Sequence, residues 1–493
     1  MQEFYTNVQR YGGTMLVRGV DAQGISFKKR LKYKPYVFMP ATTQALKDQS
    51  EYKSLEGEGM KRIDFASMTK AKDFCKQYKG VAGMPIYGLL DYQYQYINDC
   101  YAGADYDFKR LKIFNIDIEV GCDDEDGNVF GFPYPEDTRG EVTAITIGYK
   151  HKFFVWGCQD FKTDRKDVHY QKCKTEKQLL KRFVNFWAHI EPDAVTGWNI
   201  QFFDIPYLVR RIEKILGEED VKKLSPWRMV REKPVRGFGG KDVLAYDVVG
   251  LSILDYQYIY KKFTFTTPEN YSLNAVSQLE LDEAKLDYSE VASLHLLYKT
   301  NFQKYIEYNI KDVELVWKLE DKLRLLEMIV SLAYDAGVNY NDTFTQVRMW
   351  DVMIHNKLMK SKIVVPPKKN NIQTAFSGGH VKEVVPGKYE WVVSFDLTSL
   401  YPMLIQQYNI SPDTIVEDLY NPVDMDMMVN GDFQNETEYS MAANGYFFRK
   451  DAPGFLTEMM ADLYEGRAAA KQKMLACERL LEKISEEKAK RTA

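Results

Sequence analysis

One strand-forming segment, residues 109–120, strongly constrains how this chain can fold. Its apolar and polar residues alternate, and a strand turns successive side chains to opposite faces of a sheet. The period of two puts the carboxylates of Asp117 and Glu119 on one face. The other face carries Ile116, Ile118 and Val120. We expect this second face to point into a hydrophobic core, with the carboxylates on the opposite side.

Two further acidic segments follow along the chain. The segment Thr196-Gly-Trp-Asn-Ile-Gln-Phe-Phe-Asp204 has the pattern of a strand and a turn that lead into a helix over about 205–216. Farther on, Tyr308 and Asp312 are four residues apart on a long helix predicted over 303–326, so both side chains share one helix face. Strand ends and helix faces of this kind can converge on one site.

The order of the predicted elements indicates the fold class. Strands alternate with helices over 109–326, including an amphipathic helix over 176–190, and this order is typical of an α/β domain around a mixed sheet. Shorter strands precede it, among them a hairpin around Gly12 and Gly13. A second hairpin with a glycine-rich tip is predicted over 230–248. We expect an α/β protein of several domains.

Four carboxylates recur in these three segments. Held together without cations they repel one another, so their convergence makes sense only with divalent cations, most naturally Mg²⁺, with Mn²⁺ as the alternative. Two such ions, about 4 Å apart, can activate a water and stabilise the leaving oxygen of a phosphodiester. The candidate ligands are Asp117, Glu119, Asp204 and Asp312.

Each carboxylate also has an ordinary structural interpretation. Asp117 and Glu119 could lie on the solvated face of an edge strand. Asp204 precedes Ile205-Pro206 and could cap the helix that follows. Tyr308 and Asp312 could be an exposed helical pair. Taken jointly these interpretations weaken, because all three segments sit where strand and helix ends can meet.

A fourth segment, Ser394-Phe-Asp-Leu-Thr-Ser-Leu-Tyr-Pro402, has the form of half of a second metal site. A buried strand predicted over 391–395 delivers Asp396 to its end. The plain alternative is a buried strand that ends in a β-turn, where Asp and Pro are common. From residue 457 the pattern is helical, and Arg467 and Lys471 share one face there. On composition alone, these two bases belong to a solvated helix face.

Length and composition set wider limits. The 493 residues suffice for about three domains, and the net charge of −4 argues against a uniformly basic surface while allowing a local basic groove. No apolar run approaches the roughly 18 residues of a membrane span. The six cysteines lack paired metal-ligand spacing and no signal-peptide pattern opens the chain, so we expect reduced thiols in a cytoplasmic protein. They are Cys75, Cys100, Cys122, Cys158, Cys173 and Cys477.

The three acidic segments resemble the three motifs of the 3′–5′ exonuclease domain of family B DNA polymerases, most closely the replicative polymerases of T-even-type phages. The resemblance covers essentially the whole chain and corresponds to the N-terminal portion of such an enzyme. It implies an RNase H-like exonuclease domain over 106–326 and an N-terminal α+β domain over 1–105, completed by about 327–365. A partial palm over 366–462 and the first fingers helix over 463–493 follow.

The resemblance assigns roles in the exonuclease. Asp117, Glu119, Asp204 and Asp312 bind the two ions, and Tyr308 orients the attacking water. Asn199 and Phe203 contact the terminal nucleotides of single-stranded DNA. The hairpin over 230–248 is similar to the family's strand-separating hairpin.

The same resemblance assigns a polymerase half-site. Asp396, with the backbone near Leu397, binds the catalytic ions, and Tyr401 excludes a 2′-hydroxyl. The segment Phe376-Ser-Gly-Gly379 is similar to the linker that contacts DNA, through Gly378 and Gly379, although Phe376 replaces the usual Tyr. The expected contacts of the incoming deoxynucleoside triphosphate are Leu397, Thr398, Ser399, Leu400, Tyr401, Arg467 and Lys471.

The family's second palm carboxylate motif, Asp-Thr-Asp, does not occur at the expected place after Asp396. Two-metal phosphoryl transfer needs at least one more carboxylate there, so we expect synthesis to require a C-terminal polymerase chain, from a natural split or a fragment. Primer–template DNA is the expected substrate, with a sliding clamp as a further partner. The rival hypotheses are an autonomous exonuclease with a scaffold palm and a non-catalytic nucleic-acid-binding protein.

Overall fold

The computed structural model describes residues 2–43, 47, 49–81, 83–123, 129, 131–236, 242–287, 294–368, 382–431 and 435–492. The chain divides into two compact units. The first comprises Met1–Val37, Asp64–Gln77 and Leu89–Ile354. The second comprises Phe38–Ile63, Tyr78–Gly88 and His355–Ala493. The four domain boundaries expected from the sequence stay a prediction.

The chain begins with an antiparallel meander in the first unit. Strands β1, β2 and β3 pair in that order, and β1 meets β2 around the turn at Gly12, which has a φ of +55°. The hairpin expected at this turn is confirmed. The bounds of the three strands are Phe4–Tyr11, Thr14–Val20 and Ser26–Leu31.

A six-stranded mixed sheet forms the middle of the first unit, with strand order β10-β9-β8-β7-β11-β16. Strand β7 runs antiparallel to β8 and parallel to β11, and β11 runs parallel to β16. The α/β fold around a mixed sheet is thereby confirmed. The strands are β7 (Ile113–Val120), β8 (Val142–Tyr149), β9 (Lys152–Gly157), β10 (Val168–Lys172), β11 (Ala194–Gly197) and β16 (Ser252–Asp255).

Helices cover both faces of this sheet. Among them are α3 (Glu176–Ile190), α4 (Asp204–Leu216) and α9 (Phe302–Leu323). Ile116 and Ile118 of β7 are buried in one core cluster with Phe183 of α3 and Leu208 of α4. The opposite face of β7 meets α9, where the side chain of Asn115 donates to the backbone oxygen of Val313 at 2.7 Å. The alternation of β7 therefore sends its polar residues toward α9.

The long helix predicted over 303–326 ends earlier than expected. Helix α9 stops at Leu323 because Arg324 adopts a left-handed conformation, with a φ of +54°. The buried carboxylate of Glu320 accepts the backbone N–H of Leu326 at 2.9 Å, which satisfies a donor at the start of the next helix. A single helix is thus replaced by two, α9 and α10 (Leu325–Ala336).

The hairpin predicted over 230–248 is present. Strand β12 pairs with β15 at its base and β13 with β14 above it, all antiparallel. Its glycine-rich tip at 237–241 lies outside the described residues. The four strands are Val230–Glu232, Val235–Arg236, Asp242–Val243 and Tyr246–Val248.

The remaining helices are α1 (Met68–Tyr78), α2 (Tyr92–Tyr101), α5 (Glu218–Val221), α6 (Tyr256–Phe263), α7 (Leu273–Leu281), α8 (Leu294–Thr300), α10 (Leu325–Ala336), α11 (Gln346–Lys360), α12 (Leu400–Tyr408), α13 (Met425–Asn430) and α14 (Phe455–Thr492). Short 3₁₀ helices span Phe108–Arg110, Lys222–Leu224 and Tyr340–Phe344. Among the described helices, none is both long and apolar enough to cross a membrane.

Two small sheets complete the structure. Strands β4 (Tyr36–Pro40), β5 (Tyr52–Lys53) and β6 (Gly59–Asp64) pair in the order β4-β6-β5, and β17 (Ile415–Tyr420), β18 (Ser440–Met441) and β19 (Tyr446–Phe448) in the order β17-β19-β18. The buried strand expected over 391–395 is wrong. Trp391 is 96% exposed and Phe395 91% exposed, and no described strand pairs with this segment to satisfy its backbone hydrogen bonds.

A buried ion pair joins the two helices under the sheet. Arg211 of α4 donates from two nitrogens to the two carboxylate oxygens of Glu176 in α3, each at 2.7 Å, and Glu176 also accepts the backbone N–H of Val142 at 2.8 Å. Replacing Arg211 with Met leaves a buried carboxylate without its cation. We expect the free energy of unfolding to fall by about 3–5 kcal/mol, measured by guanidinium denaturation.

The matched control for this prediction is Arg210→Met on the same helix. Arg210 is partly exposed and lies 3.5 Å from the carboxylate of Glu232, so its loss should cost less than about 1 kcal/mol. Equal losses in the two variants would contradict the role assigned to the Arg211–Glu176 pair.

Candidate active site

One face of α9 supplies several of the polar groups at the candidate site. Tyr305, Tyr308, Asn309 and Asp312 recur at helical spacing, and all four are buried. This face meets the polar side of β7, so helix and strand periodicities bring the two acidic segments together.

Three carboxylates converge at this interface. Oxygen atoms of Asp117, Glu119 and Asp312 all lie within 4.8 Å of one another. Strand β7 is internal, paired with β8 and β11, so the edge-strand interpretation of Asp117 and Glu119 is wrong. Asp312 is only 5% exposed, which also excludes an exposed helical pair.

Asp204 lies beside this cluster and is held by the backbone of β7. Its Oδ1 accepts the N–H of Ile118 at 3.0 Å, and its side chain is buried. Because α4 begins at Asp204 itself, the cap position belongs to Phe203, and the helix-cap interpretation of Asp204 is wrong. The loop before it is fixed by Asp255, which accepts the backbone N–H groups of Asn199 at 3.3 Å and Gln201 at 2.9 Å.

Burial and mutual repulsion raise the pKa values of these acids. The pKa of Glu119 rises to about 8, first through burial and then through the charge of Asp312. Burial raises the pKa of Asp204 to about 7, although the N–H of Ile118 opposes the rise. The pKa of Asp117 lies well above its usual range because of burial and the charges of Asp312 and Glu119. The protein alone does not favour full ionisation of this cluster.

The donor set fits divalent cations. Hard cations such as Mg²⁺ and Mn²⁺ take carboxylate oxygens as ligands. The Oδ1 atom of Asp312 is buried and has no hydrogen-bond partner among the described residues, although a buried carboxylate oxygen normally has one. A cation at this place would satisfy that atom and relieve the repulsion among Asp117, Glu119 and Asp312.

Lys285 is a site residue that the sequence analysis missed. Its ammonium group lies 2.5 Å from Asp312 Oδ2 and donates to the hydroxyl of Tyr308 at 3.1 Å. Burial is the largest single influence and lowers the pKa of Lys285, but the charges of Asp312, Tyr308 and Asp117 and the hydrogen bond to Asp312 together outweigh burial and hold the pKa above its usual value. Lys285 follows α7 in a segment without periodicity, so nothing in the local pattern marked it.

Aromatic side chains stand near Asp204. The ring of Phe203 lies 5.6 Å from that of Phe132 and 5.8 Å from that of Tyr207. Phe132 is 61% exposed, which leaves its ring accessible to a ligand. Asn199 has a φ of +66°, so the turn before Asp204 is a tight one.

The residues proposed for the second metal site lie in the second unit. Asp396 is exposed, as are Leu397, Thr398 and Tyr401, the last by 76%. Arg467 of α14 donates to the hydroxyl of Ser399 at 3.0 Å, so the helix meets this segment. The other residues expected there, Leu400 and Lys471, are exposed. Gly378 and Gly379 lie outside the described residues.

Two family models match the chain. The model for the exonuclease domain of DNA polymerase family B matches residues 92–276, which include Asp117, Glu119 and Asp204. The model for DNA polymerase family B matches residues 342–489, which include Asp396 and Arg467. The chain belongs to DNA polymerase family B.

Relatives extend this family assignment over nearly the whole chain. The DNA-directed DNA polymerase of Escherichia phage RB69 is 32% identical over 99% of this chain and 56% of its own length. That of Enterobacteria phage T4 is 32% identical over 98% of this chain and 55% of its own length. A DNA polymerase of Thermococcus litoralis is 26% identical over 74% of this chain. This family B chain therefore spans about half the length of its phage relatives.

The raised pKa of Glu119 has a consequence for stability without metal. Folding holds a proton on Glu119 up to about pH 8, whereas the unfolded chain releases it near its ordinary value of 4.5. Stability is therefore lost as the pH rises from about 4.5 to 8. In EDTA, Glu119→Gln should raise the melting temperature relative to the unsubstituted chain at pH 8, by an amount on the order of a few degrees, and less at pH 5.

The control for this measurement is Glu314→Gln on the same helix as Asp312. Burial raises the pKa of Glu314, but the hydrogen bonds from Lys318 and Arg165 and the charges of Lys311 and Lys318 together outweigh burial and lower the pKa. Neutralising Glu314 should therefore lower the melting temperature at pH 8. A difference between Glu119→Gln and the unsubstituted chain that does not change with pH would contradict the proposed repulsion.

Proposed function

We propose that this chain carries the 3′–5′ proofreading exonuclease of a replicative DNA polymerase, and that it removes nucleotides from the 3′ end of DNA. The observation that carries this proposal is the convergence of Asp117, Glu119 and Asp312 oxygens within 4.8 Å of one another, with one buried Asp312 oxygen that has no hydrogen-bond partner among the described residues. The match of residues 92–276 to the family's exonuclease domain supports it. An RNase H-like fold for this domain belongs to the same proposal.

Divalent cations, Mg²⁺ or alternatively Mn²⁺, are part of this proposal. Asp117, Glu119, Asp204 and Asp312 would hold two of them. When bound, such ions lower the pKa of a coordinated water and stabilise charge on the leaving oxygen. The raised pKa values support this ligand set, because cations are what would let these acids ionise together at neutral pH.

The chain's own side chains would position the substrate and the water. The hydroxyl of Tyr308, which accepts a hydrogen bond from the ammonium of Lys285, would orient a water beside Asp312. The exposed ring of Phe132 and the ring of Phe203 offer stacking faces for unpaired bases, which are worth about 1–3 kcal/mol per base. Asn199, at the tight turn, would contact the terminal nucleotide.

We also propose a role in DNA synthesis. Asp396 would bind the catalytic ions together with the backbone at Leu397, and the segment 397–401 would hold the incoming deoxynucleoside triphosphate. Arg467, which already contacts Ser399, and Lys471 would bind its phosphates. A guanidinium next to the acidic segment supports this assignment, because Arg is suited to phosphate recognition.

Further carboxylates would have to join Asp396. We propose that they come from a C-terminal polymerase chain, and the exposure of Trp391 and Phe395 supports a surface that is covered on assembly. Contact of Gly378 and Gly379 with DNA, a sliding clamp as partner, and action in the cytoplasm of a phage-infected host complete the proposal. The domain limits of 1–105, 106–326, 366–462 and 463–493 belong to it as well.

The exonuclease is tested with this chain, Mg²⁺ and a 5′-labelled single-stranded oligonucleotide. Stepwise shortening from the 3′ end is the expected result. Asp117→Asn should slow it by more than about 100-fold, because even the hydrogen-bond partners of metal ligands are worth about 10–100-fold. Asp160→Asn, at a carboxylate whose side chain is 83% exposed, is the control and should leave the rate unchanged. An intact oligonucleotide would favour a non-catalytic binding protein.

Synthesis is tested by adding the C-terminal polymerase segment of a phage relative, or of the source phage, with primer–template and all four deoxynucleotides. We expect extension that Asp396→Asn abolishes while shortening of the primer continues, because Asp396 is not one of the four carboxylates proposed for the exonuclease. Extension that survives Asp396→Asn would leave this segment a scaffold and the chain an autonomous exonuclease.

A further inference from the structure

A side-chain hydrogen-bond chain stands behind the carboxylate cluster. Asn309 of α9 donates from its amide nitrogen to Asp117 Oδ2 at 2.6 Å, and the hydroxyl of Thr146 donates to the amide oxygen of Asn309. Thr146 lies on β8 directly across from Asp117 on β7. Asn309 and Thr146 are both fully buried. The three side chains therefore form one closed unit between helix and sheet.

We propose that Asn309, oriented by Thr146, is a positioning residue that sets the Asp117 carboxylate for cation binding. This inference rests on the proposed metal-dependent exonuclease and adds to it a determinant of cation affinity. Asn309 would not touch substrate or cations. It would act through Asp117 alone.

The direction of the hydrogen bonds explains how the unit works. A threonine hydroxyl that donates to the amide oxygen fixes which end of the Asn309 amide faces Asp117, because only the nitrogen end can donate to a carboxylate. A donor on Oδ2 holds the rotation of the Asp117 carboxyl group and leaves its other oxygen for a cation. Without the Thr146 hydroxyl, a flipped amide would turn its oxygen toward Asp117 and repel it.

A structural role alone predicts something different, and the chain offers a matched comparison. Asn115 is as buried as Asn309 and belongs to the same strand as Asp117, and its amide also bonds across to α9. Its partner there is the backbone oxygen of Val313 rather than a carboxylate. Loss of Asn115 should therefore weaken packing between strand and helix without changing how Asp117 is held.

Cation affinity is the quantity that separates the two interpretations. Hydrogen-bond partners of metal ligands typically contribute about 10–100-fold to metal affinity. We expect Asn309→Ala to weaken Mn²⁺ binding by at least about 10-fold. Thr146→Val, which keeps the shape of the side chain and removes the hydroxyl, should act in the same direction. Asn115→Ala should leave Mn²⁺ affinity within about 2-fold.

The experiment is a Mn²⁺ titration of the full chain followed by electron paramagnetic resonance of free Mn²⁺, without DNA. The same variants are assayed for the Mg²⁺ concentration that gives half-maximal oligonucleotide hydrolysis. Asn309→Ala should shift both quantities, and Asn115→Ala neither. Circular dichroism shows whether each variant is folded. If Asn309→Ala does not fold, Thr146→Val takes its place in both measurements.

The outcomes separate this inference from the proposed exonuclease. If the chain binds Mn²⁺ but hydrolyses no DNA, the exonuclease fails while the difference between Asn309→Ala and Asn115→Ala still decides the role of Asn309. Equal Mn²⁺ affinities in these two variants would overturn the inference even if hydrolysis is intact. If Asp117→Asn leaves Mn²⁺ binding unchanged, or if the unsubstituted chain binds no Mn²⁺, both the proposed exonuclease and the role of Asn309 are overturned.

Discussion

The burial of like charges between β7 and α9 is the constraint on which the rest of the first unit depends. Asp117, Glu119 and Asp312 approach within 4.8 Å, and Lys285 supplies a cation to Asp312. Such a cluster persists only if the surrounding structure holds it, because each carboxylate would otherwise turn toward water or take up a proton. The fold thus stores an unfavourable arrangement that a bound cation can relieve.

The sheet and its helices supply that support. Strand β7 is fixed on both edges, and its apolar face is buried with α3 and α4, so Asp117 and Glu119 cannot turn away from α9. The backbone of β7 also holds Asp204 through the N–H of Ile118. The apolar core on one face of β7 therefore stabilises the position of the carboxylates on its other face. The free energy gained by burying the apolar face of β7 thus stabilises the strained arrangement of carboxylates on its polar face.

Local periodicity made much of this site predictable from sequence. The alternation of β7 separated Asp117 from Ile116 and Ile118, and helical spacing paired Tyr308 with Asp312. Lys285 was missed because its position depends on where the segment after α7 returns, a tertiary fact with no local pattern. The prediction of a buried strand over 391–395 was wrong for a different reason. An apolar pattern forms a strand only beside a partner strand, and no described strand pairs with this segment. The sequence was therefore most informative where a local pattern alone decided which face of an element was buried.

The most direct test of the central claim is anomalous diffraction from a crystal of this chain soaked in Mn²⁺ near pH 8. We expect anomalous density within coordination distance of Asp117, Glu119 and Asp312, with Oδ1 of Asp312 among the ligands. A well-ordered site without Mn²⁺ at this pH, with the three carboxylates hydrogen-bonded to one another as protonated acids, would contradict it.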